Sequence, residues 1–188
     1  MGVRRPQKIT RPAVFLDRDG TLIRQVNDIV DFSQVRILKG TAEGIKLFNR
    51  LGYLVVVITN QPVIGKGLVT KKKVEAIHKT LATKFKKKGA VIDAFYLCPH
   101  LHADDCTCRK PKLGMVNAAV KKYDIDIKKS FFIGDDRRDI ETGKRAKMQT
   151  ILLKTGKAGR DKKYFDAEPD ATAANLLSAA KRIARLRK

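Results

Sequence analysis

A doubly wound α/β fold, with a mainly parallel sheet and helices on both faces, is what the sequence predicts. Three observations carry that prediction. Short, nearly continuous apolar runs recur along the chain, amphipathic helical patterns alternate with them, and four of the runs stop abruptly at polar clusters. A strand buried on both faces of a parallel sheet reads as apolar at nearly every position. Strands that alternate with helices indicate βαβ units.

The elements follow in order. Residues 1–10 carry Arg4, Arg5 and Lys8 without periodicity and read as a flexible basic arm. The expected strands are Ala13–Leu16, Tyr53–Ile58, Val91–Leu97, Phe131–Ile133 and Thr150–Leu153, each rich in β-branched or aromatic residues. Thr41–Leu51 places Ile45, Phe48 and Leu51 on one helical face. Thr70–Lys88 places Val74, Ile77, Leu81 and Phe85 three and four residues apart, with lysines around the outside. Leu113–Tyr123 and Ile140–Ala146 are shorter helices, and Ala171–Leu186 closes the chain. No repeat or linker interrupts them, so residues 11–180 read as one domain and 181–188 as a basic tail. The pattern is Rossmann-like, and functional side chains belong at the carboxyl ends of its strands.

Composition narrows the classes. The chain has 188 residues, 43% of them apolar, which excludes global disorder. No apolar run approaches the roughly 20 residues of a spanning helix. Met1–Thr10 is basic and lacks an apolar core, so no export signal is read and a cytoplasmic protein is expected. The three cysteines lie together at 98, 106 and 108, an arrangement that suits a metal in a reducing compartment better than disulfides. Lys and Arg number 41 against 19 Asp and Glu, a net charge of +22. That excess invites a nucleic-acid reading. Against it, the chain lacks Trp and has few aromatics for stacking bases. Lys66–Lys88 holds nine lysines that flank an apolar stripe, so they read as a solvated face. Nucleic acid is therefore not the expected partner.

The polar clusters carry the chemistry. Asp17-Arg18-Asp19-Gly20-Thr21 places two carboxylates at i and i+2 of an extended segment, pointing the same way. Their repulsion favours a bound cation or a shared proton, although an ordinary Asx turn would use the same residues. Thr59-Asn60-Gln61 offers donors for phosphate oxygens, or a cap. Gly134-Asp135-Asp136, with Asp139 three residues on, suits a hard cation such as Mg²⁺, or caps the helix starting near Asp139. Cys98, His100, Cys106 and Cys108 supply three thiolates and one imidazole, a closed tetrahedral set for structural zinc. His102 is the spare histidine.

In this order, each after a strand and joined by Lys110, these motifs resemble the haloacid dehalogenase superfamily of Mg²⁺-dependent phosphohydrolases over about residues 11–175. The resemblance implies Asp17 as nucleophile and Asp19 as general acid and then base. It implies Mg²⁺ held by Asp17, Asp135 and the Asp19 backbone carbonyl; Asp136, a departure from the family pattern, adds a carboxylate expected to serve as a further Mg²⁺ partner behind them. Thr59, Asn60 and Lys110 would hold the phosphoryl oxygens. The combination DRDGT, TNQ, CPH…CxCRKP and GDxxxD is similar to a narrower, capless group, the histidinol-phosphate phosphatases and the D-glycero-D-manno-heptose 1,7-bisphosphate 7-phosphatases. CPHLxADxCxCRKPK resembles the former. Thr59–Gly67 and Leu153–Lys157 resemble the latter, which is the preferred reading. A polynucleotide 3′-phosphatase is the third alternative. By resemblance, Gln25, Val26, Asn27, Asp28, Asn60, Gln61, Arg109 and Lys110 contact a small phosphorylated metabolite; a monomer is expected. Asp136 stands where heptose phosphatases often carry a basic or small residue, which counts against a second substrate phosphate there.

Overall fold

The computed structural model describes residues 10–160 and 166–186. Its strands are β1 (Ala13–Leu16), β2 (Leu54–Asn60), β3 (Ala94–Cys98), β4 (Phe131–Gly134), β5 (Gln149–Leu153) and β6 (Ala171–Ala173). Its helices are α1 (Thr41–Arg50), α2 (Pro62–Gly65), α3 (Lys71–Lys87), α4 (Gly114–Tyr123), α5 (Arg137–Arg145) and α6 (Leu176–Leu186). All strand pairs are parallel, in the order β3-β2-β1-β4-β5-β6. The chain builds outward from β1 through β2 to β3, then returns to β4 on the other side of β1. The β1/β4 boundary is therefore the switch point where a crevice opens at the carboxyl edge.

Alternate residues of the central strands feed two cores. Val14, Leu16, Val55, Val57 and Ile133 pack with Ile45 of α1, Leu81 and Phe85 of α3 and Ile183 of α6. Ala13, Phe15, Val56, Ile58 and Phe132 pack with Met115, Val116 and Ala119 of α4. Both faces of each strand are thus removed from water, and this is why the strands read as unbroken apolar runs. No described segment between these elements forms a cap domain.

The structure corrects four boundaries. The first residues of the expected last helix form β6, with Ala171 paired to Ile151. Helix α6 begins only after Asn175, whose side-chain oxygen accepts from Ser178 N–H at 3.0 Å. Residues 181–186 belong to α6, with Ile183 fully buried, and so are helix rather than a separate tail. β3 starts at Ala94 rather than Val91, because the Asp93 side chain rather than a strand carbonyl takes the Val55 N–H, at 2.7 Å. α5 starts at Arg137, capped by Asp136, and not at Ile140. Residues 1–9 of the arm and 187–188 of the tail lie outside the described residues. Among the described residues, no helix is long and apolar enough to cross a membrane.

Candidate active site

Asp17 leaves β1 and Asp135 leaves β4. Because those strands are neighbours, with Leu16 opposite Ile133, the two carboxylates emerge side by side. Asp139 comes in from the first turn of α5. Carboxylate oxygens of Asp17, Asp135 and Asp139 all lie within 4.8 Å of one another. Lys110 Nζ donates to Asp17 Oδ1 at 2.7 Å and to Asp139 Oδ1 at 2.6 Å. All four side chains are buried.

Three buried carboxylates against one ammonium leave two negative charges uncompensated, the charge that one divalent cation neutralises. The titration directions agree. Burial raises the pKa of Asp17 and Asp139, with Lys110 opposing in each case. Burial, and then Asp17, push Asp135 up to about 7. Burial alone would lower Lys110, but Asp139 and Asp17 outweigh it and its pKa is raised. Two glycines allow Asp135 to sit so tightly: at Gly20 (φ +82°) and Gly156 (φ +50°) a Cβ would overlap its carboxylate. Thr21 Oγ1 donates to Asp135 Oδ1 at 3.2 Å and Lys157 N–H donates to Oδ2 at 2.7 Å. The donor set is hard oxygen, confined and electron-rich, and it fits Mg²⁺.

Asp136, expected among the Mg²⁺ partners, lies outside this cluster of close carboxylates, whose third member is Asp139. Asp136 Oδ1 caps α5 through Arg138 N–H at 2.8 Å, and Oδ2 receives Lys157 Nζ at 2.6 Å. Asp139 serves both purposes: its Oδ2 completes the capping box with Asp136 N–H at 3.3 Å while its Oδ1 holds Lys110. The Asp19 carboxylate also stays outside the group. It accepts from Arg18 Nε at 3.1 Å and Nη2 at 3.0 Å, and from Gln61 Nε2 at 2.9 Å.

The second motif is arranged as supports. Thr59 is buried, and its hydroxyl oxygen accepts from Gln61 Nε2 at 2.9 Å. Asn60 clamps the Lys110 backbone from both sides, accepting from its N–H at 3.0 Å and donating to its carbonyl at 3.2 Å. Asn60 therefore fixes where Lys110 starts, and the salt bridges fix where it ends.

A cleft of about 310 Å³ opens over this centre. Its walls include Asp17, Asp19, Gln25, Val26, Asn27, Asp28, Asn60, Gln61, Arg109 and Lys110, all expected from the sequence. They also include Arg18, Lys66, Arg138 and Lys157, which sequence reasoning did not single out. Lys66 Nζ pairs with Asp28 at 2.8 Å across the rim. Isolated cations on separate segments give no sequence signal; only the fold shows that they share one opening.

The four expected zinc donors also converge. Cys98 Sγ lies 3.7 Å from His100 Nδ1 and 3.6 Å from Cys106 Sγ, Cys108 Sγ lies 3.5 Å from Cys106 Sγ, and His100 Nδ1 lies 3.2 Å from Cys108 Sγ. A tetrahedron with bonds of about 2.3 Å to sulfur has edges of roughly 3.8 Å, so the set fits zinc. Burial pushes the Cys98 thiol up to about 12, while at Cys106 burial is outweighed by the Arg109 N–H and neighbouring thiols, giving about 7. His102 is not in the set. Gln61 N–H donates to the Cys98 carbonyl at 2.7 Å, which ties this loop to the catalytic edge.

The chain is similar to known proteins. The HAD-hydrolase-like family profile matches residues 107–179. The chain is 36% identical over 154 residues to the D-glycero-beta-D-manno-heptose-1,7-bisphosphate 7-phosphatase of Pasteurella multocida (strain Pm70), covering 78% of this chain and 84% of that one. It is 33% identical over 187 residues to the D-glycero-D-manno-heptose-1,7-bisphosphate 7-phosphatase of Thermosynechococcus vestitus, covering 92% and 95%. The crystal structure of D,D-heptose 1,7-bisphosphate phosphatase from B. bronchiseptica, complexed with magnesium and phosphate, superposes with a TM-score of 0.85 at 28% identity, over 93% of this chain and 99% of that one. With the carboxylate centre, its lysine and the thiol loop all in place, the chain belongs to the haloacid dehalogenase superfamily of phosphatases, in the group of the heptose-bisphosphate 7-phosphatases.

Proposed function

We propose that this chain removes the 7-phosphate of a D-glycero-D-manno-heptose 1,7-bisphosphate. The observation that carries the proposal is the buried trio Asp17, Asp135 and Asp139 bridged by Lys110 at the floor of a cleft rimmed with cations. The relatives and the superposed structure act, by name, on that substrate class. The concern that Asp136 removes a basic contact is met by Lys157 and Arg138, which line the cleft beside it. A second phosphate would find cations there.

In this reading the Asp17 carboxylate attacks phosphorus, and the bond from phosphorus to the sugar oxygen breaks. Asp19 protonates the departing alkoxide. The resulting aspartyl-phosphate is then cleaved by a water that Asp19 deprotonates, and this releases phosphate and restores Asp17. Lys110, positioned by Asp17 and Asp139, would hold the phosphoryl oxygens in line. Asp17 and Asp135, with the Asp19 carbonyl by resemblance, would hold Mg²⁺. Its chemistry there is to offset the repulsion between an anionic nucleophile and an anionic substrate. Cys98, His100, Cys106 and Cys108 would hold zinc in a closed, structural site that fixes Arg109 and Lys110, the residues immediately following Cys108. Such thiolates persist in a reducing compartment, and we place the enzyme in the cytoplasm. We take the enzyme to act as a monomer.

The test is a side-by-side turnover comparison. The α and β anomers of heptose 1,7-bisphosphate, histidinol phosphate and a 3′-phosphorylated oligonucleotide are supplied to the Mg²⁺-loaded enzyme. The bisphosphate is expected to lead in kcat/KM. A clear lead for either of the other substrates overturns the assignment. Metal analysis of protein purified without chelator is expected to return one zinc per chain.

A further inference from the structure

We propose that His78 is a positioning residue for proton transfer: from α3 it holds the Arg18 guanidinium, and Arg18 in turn sets the orientation of the Asp19 carboxylate. The proposal rests on the reading of Asp19 as general acid and base.

Arg18 is only 1% exposed, an unusual place for a guanidinium, and its donors are spent in a definite pattern. Nε and Nη2 form a fork on the two Asp19 oxygens, at 3.1 and 3.0 Å. Nη2 also reaches Gln61 Oε1 at 2.8 Å, and Gln61 Nε2 returns to Asp19 Oδ2 at 2.9 Å. The ring closed by Arg18, Asp19 and Gln61 fixes the plane of the carboxylate. The remaining terminal nitrogen, Nη1, meets His78 Nε2 at 3.1 Å.

That last contact assigns the histidine tautomer. A guanidinium can only donate, so His78 Nε2 is the acceptor and its ring proton sits on Nδ1. Burial, and then Arg18 itself, pull the His78 pKa down to about 3, so the ring stays neutral at physiological pH. The imidazole is held flat against Phe95 of β3, with ring centroids 4.6 Å apart and planes 17° apart. His78 is thus a fixed acceptor, built from α3 and β3, aimed at the far side of the guanidinium. Without it, Nη1 would be buried with no acceptor there, and the guanidinium would lose its anchor on the side away from Asp19. Neither His78 nor Phe95 lines the cleft, so neither touches substrate.

The role has a signature that loss of packing does not have. Departure of an alkoxide needs the proton that Asp19 supplies; departure of a dinitrophenolate does not. The constant kcat/KM reports the steps up to leaving-group departure. The experiment measures it for wild type, His78→Phe, His78→Gln and Asp19→Asn on an alkyl phosphate and on 2,4-dinitrophenyl phosphate. His78→Phe retains a ring to stack on Phe95 but offers Arg18 no acceptor. It is expected to lose about tenfold on the alkyl ester and under about twofold on the aryl ester. His78→Gln, whose side-chain oxygen can stand near the Nε2 position, is expected to recover most of the loss. Parallel losses on both esters, tracking the melting temperature, mean that His78 is only packing and overturn the proposal. If Asp19→Asn itself shows no preference for the activated ester, the general-acid reading fails and this proposal falls with it. If Asp19→Asn discriminates between the esters and His78→Phe does not, the positioning role alone is refuted.

Discussion

The carboxyl edge of the sheet and the outer side of the α1, α3 and α6 layer use charge in opposite ways. At the edge, Asp17, Asp135 and Asp139 share one buried lysine, and their titration is displaced by burial and by one another. On the helical layer, α3 alone carries seven lysines and a single acid, Glu75, and those lysines are exposed. The pair between Lys71 and Glu75 spans 3.7 Å with both side chains more than half exposed. An exposed pair of that kind contributes ~0–1 kcal/mol, whereas a desolvated pair decides which protonation states exist. The abundance of a charge in the sequence therefore says little about its importance. What counts is whether apolar strands carry it into a space that water does not reach.

The sharpest way to break the contrast is to neutralise one charge at the edge. Asp17→Asn leaves the size and burial of the side chain nearly unchanged and removes only the nucleophile. Turnover of a generic aryl phosphate is expected to fall at least about 10³-fold, with the far-ultraviolet dichroism and melting curve still those of a folded protein. Substantial residual activity would mean that the chemistry lies elsewhere.

The same edge should couple a proton to metal binding. Asp135 titrates near 7 without metal, and Mg²⁺ requires its carboxylate form. Below that pH a proton must leave before the ion can bind. The apparent Mg²⁺ affinity is expected to weaken about tenfold per pH unit below 7 and to level off above it. Titration calorimetry at pH 6, 7 and 8 checks both the slope and the accompanying proton release; a flat affinity would show that burial does not raise Asp135.

Much of this edge was legible in the sequence because strand ends are marked twice. Ala13–Leu16 is buried at all four positions, so the run reads as a strand, and the aspartate that stops it must sit at the carboxyl edge. The zinc donors lie within eleven residues of one another and need no knowledge of the fold. Asp136 and Asp139 were not separable in this way. They share one helical turn, and only the local geometry at the start of α5 gives Asp136 to the helix cap and to Lys157, and Asp139 to Lys110. β6 was hidden because Ala-Thr-Ala has no apolar run, and the amphipathic pattern of α6 reads straight through it. Arg18 and His78 lie sixty residues apart and become partners only because α3 shares a core with Val55 and Val57 of β2 and stacks His78 on Phe95 of β3. The basic rim of the cleft is drawn from separate loops for the same reason.

His78 tests the contrast from the other side, since it is a cationic-type residue kept neutral by burial. Burial, and then Arg18, hold its folded pKa at about 3, below the ordinary histidine value of 6.5. The unfolded state therefore binds the extra proton first. The stability that His78 contributes is fully present above 6.5 and is lost as the pH falls from 6.5 toward 3, at about 1.4 kcal/mol per pH unit. His78→Gln lacks the titrating group. The gap in melting temperature between wild type and His78→Gln is expected to shift against wild type by about 2–4 °C per pH unit between pH 6.5 and 5. A gap that does not move with pH would show that the ring is accessible to protons in the folded state.

The smallest effect belongs to the helical layer. Lys79 and Lys86 are exposed, and neither forms part of the cleft wall. Reversing both, as Lys79→Glu with Lys86→Glu, changes the net charge by four and touches no residue at the strand edge. At about 0.15 M salt the Debye length is about 8 Å, so these charges are screened from the cleft. The expected change in kcat/KM is under about twofold at that ionic strength. It should grow only when salt is lowered, because long-range attraction of an anionic substrate is then restored. The measurement is kcat/KM as a function of ionic strength for wild type and the double variant. Curves that converge at high salt confine the layer to a general electrostatic influence. A loss that persists in high salt would place these lysines in direct contact with substrate and erase the distinction between the two regions.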